Sequence, residues 1–144
     1  MRLAWAVAAA VVLVLSGCSL SKLSQQKAAP LAYRAFGGDT LFYWVESPSN
    51  SISTVLAGAA LSSQVPIVQG LTRIVRSASS QPIRVSVSGT DSVFTANVIG
   101  VALGSITNDL PGLQLAFIGN TGQEASVRHS VEAKRGTFAF VEQP

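Results

Sequence analysis

The chain has 144 residues, 48% of them hydrophobic and 12% charged, with a formal net charge of +3. That length suits one domain and is short for two. The low charge and regular apolar patterning exclude a disordered chain, and no run of Lys or Arg exceeds two residues, which argues against nucleic-acid binding.

Arg2 is followed by an uninterrupted apolar stretch of 13 residues, 3–15. As a helix it would span about 20 Å, less than the hydrocarbon core of a bilayer. It fits a secretory leader better than a permanent span. Leu15-Ser16-Gly17-Cys18 then closes the leader with the only cysteine of the chain. This resembles the lipobox of bacterial lipoprotein precursors, and the resemblance covers residues 1–18. It implies cleavage between Gly17 and Cys18, a diacylglyceryl group on the Cys18 sulfur and an acyl chain on its new amino group. Two or more chains anchor a protein durably, whereas one binds marginally. Ser19 follows the cysteine, and by the sorting habit of that family it implies the periplasmic face of the outer membrane. With Cys18 lipidated, the remaining chain has no thiol, so catalytic cysteine, disulfides and thiolate metal sites are excluded.

Residues 1–17 are thus expected to be a signal peptide, 18–30 a lipidated cysteine with a flexible tether, and 31–144 one domain. A 12-residue tether, 19–30, would reach about 40 Å when extended. Residues 31–46 predict a hairpin, with two aromatic-rich runs flanking Gly37-Gly38. Ser47-Pro48-Ser49-Asn50 breaks the strand, and Ile52, Val55, Leu56 and Ala59 follow at helical spacing. Pro66 is placed for the first turn of a second helix, with Ile67, Leu71, Ile74 and Ala78 as its stripe, widened by Val68 and Val75, and Arg73 and Arg76 outside.

Alternation predicts a strand over 83–89, and Thr90 or Asp91 caps a nearly all-apolar helix over 92–106. Residues 108–112 are a loop and 113–119 a central strand, and the strand–helix–strand unit over 83–118 is a candidate right-handed parallel crossover. Residues 124–133 and 137–142 predict a final hairpin around Lys134-Arg135-Gly136, with Val127, His129, Val131 and Ala133 on one face. The order ββααβαβββ implies an α+β fold: one sheet of about five or six mostly antiparallel strands with about three helices packed on it.

The segment 86–92, SVSGTDS, has a strand ending at a glycine where a helix starts, a setting that offers free N–H groups to anions. Yet it matches neither dinucleotide nor P-loop spacing, and capping by Asp91 accounts for its polar residues. His129 is the only histidine. One histidine without clustered carboxylates makes no ordinary metal site, and no GxSxG accompanies it, so no catalytic residue, metal or cofactor is expected. Gly100 and Gly104 form GxxxG in an apolar helix too short to span a bilayer, which implies close helix packing.

Phe42, Tyr43 and Trp44 are consecutive, so alternation sends Tyr43 to one sheet face and its neighbours to the other. Tyr43 and Trp44, with Arg73, Arg76 and Arg84 gathered where the second helix meets the next strand, make the candidate partner surface. Core packing of the aromatics and a solvated helix face for the arginines are the plainer alternatives.

The expected function is that of a non-enzymatic, outer-membrane-anchored accessory that binds and assembles or localises another envelope component, with a homo-oligomer left open beside the envelope partner. Two alternatives stand beside it. One is a lipid- or small-ligand-binding module with a pocket between helices and sheet. The other is a small periplasmic hydrolase using His129.

Overall fold

The computed structural model describes residues 24–47 and 61–144. The leader, Cys18 and the helix expected over 52–59 lie outside the described residues. Among the described residues four helices and four strands alternate: α1 (Gln25–Phe36), β1 (Leu41–Val45), α2 (Pro66–Arg76), β2 (Ile83–Gly89), α3 (Ser92–Gly104), β3 (Leu113–Gly119), α4 (Thr121–Glu132) and β4 (Thr137–Glu142). The strands form one sheet in chain order, β1-β2-β3-β4, and every neighbouring pair is parallel.

This corrects the expected sheet of five or six mostly antiparallel strands. Both expected hairpins are helical on their first arm. Residues 25–36 form α1, so part of the expected tether and the first strand of the expected 31–46 hairpin are one helix. Ser24 caps it, with Oγ accepting from the Lys27 N–H at 3.4 Å. Gly37 ends it in the left-handed region at φ 67°, its N–H bonded to the Tyr33 carbonyl. A glycine free to take positive φ serves a helix C-terminus as well as a hairpin turn. Pro30 lies inside the helix and removes one rung of its ladder, which disguises the segment further.

Residues 121–132 form α4, not a strand. Val127 and Val131, both buried, are four apart, a spacing that satisfies a helix stripe and a strand face alike. The Glu124–Arg128 pair at 2.8 Å has the same spacing. With a helix in each connection, the chain returns to the same end of the sheet before every strand, as parallel pairing requires.

The segments 83–89 and 113–119 are strands with the expected bounds, they pair in parallel, and β3 is a central strand. Pro66 opens α2. Val68, Leu71 and Val75 form its buried stripe, while Ile67 and Ile74, expected in that stripe, are half-buried.

Helices α2, α3 and α4 lie side by side on one face of the sheet. Val85, Val87, Leu113, Leu115 and Phe117 meet Val68, Leu71, Val98, Ile99 and Leu103 there in one core. Each such side chain contributes about 1.5–3 kcal/mol on leaving water. Helix α1 covers the opposite face, turning the fully buried Ala28 and Ala32 inward. Strand parity places Ser86, Ser88, Ala116 and Ala139 on that face, and Ser86 Oγ donates to the Ala32 carbonyl at 3.1 Å. Small residues on both surfaces let the helix lie close.

At the C-terminal end of β2, a methyl group on Gly89 would run into the Val45 carbonyl and the Thr95 hydroxyl. Gly89→Ala is therefore expected to destabilise the fold by about 1–3 kcal/mol through overpacking. Urea unfolding should show a lower midpoint with an unchanged slope.

Candidate functional site

The sheet splits the consecutive aromatics as their alternation requires. Tyr43 pairs with Val87 and turns toward α2, where its hydroxyl donates to the Ile67 carbonyl at 2.6 Å. Burial raises the phenol above the usual tyrosine range. Gly70 lies where any side chain would press on this hydroxyl. Trp44 pairs with Ser88 on the α1 face, half-buried, and its indole N–H donates to Glu46 Oε2 at 2.8 Å. Tyr43 thus fastens β1 to α2, and only Trp44 and Phe42 remain near the surface of the other face.

The arginines also separate. Arg84 turns to the α1 face of β2, where its Nε donates to Gln114 Oε1 at 2.8 Å. It borders an open groove at the amino-terminal edge of the sheet with Asp39, Thr40 and Leu41. Arg73 and Arg76 lie on the exposed face of α2, across the sheet from Arg84. They border an open groove of about 410 Å³ together with Ser63, Gln64, Gln69 and Ser105. The expected single patch is two sites: knowing that Arg84 alternates with Val85 is not enough without knowing which face each helix covers.

The SVSGTDS segment is a structural junction. Asp91 caps α3, its Oδ1 accepting from the Phe94 N–H at 2.7 Å. Ser88 Oγ donates to the Ile118 carbonyl at 3.0 Å, and Ser92 Oγ accepts from the Asn120 N–H at 2.8 Å. These bonds tie the ends of β2 and β3 together. A carboxylate already occupies the N-terminus of α3, so an anion there would meet like charge.

His129 is exposed on α4, not half-buried in a strand. It shares a shallow groove with Thr121, Glu124, Arg128 and Glu132. Of the GxxxG pair, Gly100 faces α4, with space for a methyl group 3.9 Å from Ser130 Oγ, while Gly104 is open to solvent. Among the described residues no three His, Cys, Asp or Glu cluster as metal ligands. No helix among them is long and apolar enough to cross a membrane.

The α2 groove is the feature that individual residue types did not reveal. Its signal in the sequence was the pairing of Arg73 and Arg76 at a three-residue spacing with Gln69 one turn before. The chain matches no family model, no curated protein and no solved structure.

The Tyr43 anchor gives a pH prediction. A phenol with a raised pKa in the fold favours the folded state fully below its unfolded value near 10 and loses that contribution as pH rises through the folded value. Wild-type stability should therefore fall from about pH 10 upward. Tyr43→Phe should cost about 1 kcal/mol at neutral pH, from the lost hydrogen bond. The variant should also flatten part of the alkaline decline. Paired thermal melts across pH 7–11 measure both effects.

Proposed function

We propose that the protein is a lipid-anchored accessory of the bacterial envelope, held by acyl chains on Cys18 at the periplasmic face of the outer membrane, where it binds and positions another envelope component. The observation that carries the reading is Leu15-Ser16-Gly17-Cys18 at the end of a 13-residue apolar leader.

The described fold refines the geometry of such an anchor. Helix α1 opens at Ser24, six residues beyond Cys18. Six residues span at most about 20 Å, half the reach expected of the longer tether. The domain would work close to the membrane, and its partner would meet it at or near the lipid surface.

The pocket between helices and sheet that the ligand-binding alternative requires finds less support. The space between the sheet and helices α2–α4 is filled by fully buried side chains such as Val87, Ile99, Leu103 and Phe117. The grooves bordered by Arg73, by His129 and by Arg84 open on outer surfaces.

Labelled fatty acid should be incorporated into the wild type and not into Cys18→Ser, and the variant should leave the membrane fraction. Crosslinking in living cells, followed by mass spectrometry of the captured chain, should yield a stoichiometric envelope protein that is lost in Cys18→Ser and kept in His129→Ala. Failure to incorporate fatty acid would overturn the anchor. Loss of function in His129→Ala, with the fold intact, would replace the accessory reading by the hydrolase.

A further inference from the structure

The charge ledger of the chain isolates one pair of cations. All seven carboxylates, Asp39, Glu46, Asp91, Asp109, Glu124, Glu132 and Glu142, lie within the described residues. Asp109 pairs with Arg135 and Glu124 with Arg128. Glu46 takes the Trp44 indole N–H, and Asp91 caps α3. No carboxylate borders the α2 groove, and neither Arg73 nor Arg76 forms an ion pair among the described residues. Residues 1–23 and 48–60 contain no Asp or Glu, so they bring no side-chain counter-ion to it either. Two guanidinium groups three residues apart on one helix face therefore share a concave surface with no acidic partner from the chain.

The neutral groups around them suit an anion. Gln64 and Gln69 offer amide donors and Ser63 a hydroxyl. The other two hydroxyls of the groove are engaged, Thr72 with the Val68 carbonyl and Ser105 with the Ala102 carbonyl. The donors left in the groove are thus Ser63, Gln64, Gln69 and the two arginines. A guanidinium fork pairs in a bidentate manner with carboxylate and phosphate alike, but a phosphate has three or four oxygens against the two of a carboxylate, so it can accept from two guanidiniums and the neutral donors at once.

We propose that the groove between α2 and the end of α3 is a binding site for a phosphate monoester or inorganic phosphate, with Arg73 and Arg76 as its charged ligands and Ser63, Gln64 and Gln69 as neutral donors. The site is independent of Cys18 and of the anchor.

The test uses the full chain in neutral detergent at low ionic strength. Inorganic phosphate should raise the melting temperature in a saturable way, and acetate at equal ionic strength should not. Arg73→Gln and Arg76→Gln should each weaken phosphate binding about tenfold or more, and the double variant should abolish the shift. Arg84→Gln, altered on the opposite face, should bind as the wild type does. To separate the sources of the phosphate, the same proteins are mixed with phosphatidylcholine vesicles with and without phosphatidic acid. Binding that needs phosphatidic acid and both arginines assigns the site to a lipid headgroup; a phosphate-induced shift without vesicle binding assigns it to a free phosphate compound. An equal response to acetate or to an acidic peptide, or a phosphate shift that survives in the double variant, would overturn the proposal.

Discussion

A parallel sheet must be covered on both faces, because its strands present apolar or backbone surface to each. Among the described residues three helices cover one face and the 12-residue helix α1 packs on the other. The residues beneath α1 are mostly small, Ser86, Ser88 and Ala116 on the central strands, Ala139 on β4 and Ala28 and Ala32 on the helix, with Ile118 the large side chain fully buried on that face. The larger Phe42 and Trp44 fall on the flank at β1 and stay half-exposed.

Placing serine in a buried face incurs a desolvation cost that each hydroxyl must recover by bonding. Ser86 gives its proton to α1, Ser88 to β3, and Ser92 receives one from the turn after β3. The interior is therefore held by neutral hydrogen bonds and apolar contact. Both ion pairs are exposed on their surfaces and, as exposed pairs, are worth about 0–1 kcal/mol each. Charge is peripheral to stability, which leaves the cations on α2 available for other work.

The central part of the chain was legible in its sequence because each segment there obeys one period only. Ile83, Val85 and Val87 alternate and nothing else fits them; residues 92–104 are too long and too apolar for a strand. The two ends were illegible for a definite reason. Val127 and Val131 satisfy both periods, and Gly37 serves both a hairpin and a helix terminus. The ambiguity at Gly37 adds a strand ahead of β1, and that at Val127 and Val131 removes the helix that joins β3 to β4, so two local misreadings supply the extra strands and the antiparallel hairpins of the expected sheet. The site followed the same pattern. Arg73 and Arg76 were correctly assigned to an outer helix face, whereas their separation from Arg84 depends on which side of the sheet each helix occupies, a property of the assembled fold.

The sheet order also sets an order of assembly. Each strand pairs with the next in sequence, and α2, α3 and α4 each rest on their neighbours, so every such contact can close as soon as the following unit has emerged. Helix α1 is the exception: of the described elements it is the first to be made, yet it packs across all four strands, including β3 and β4, the last of them. Its alanine face has no complete seat until the chain is finished. Its docking thereby reports that the whole sheet has formed.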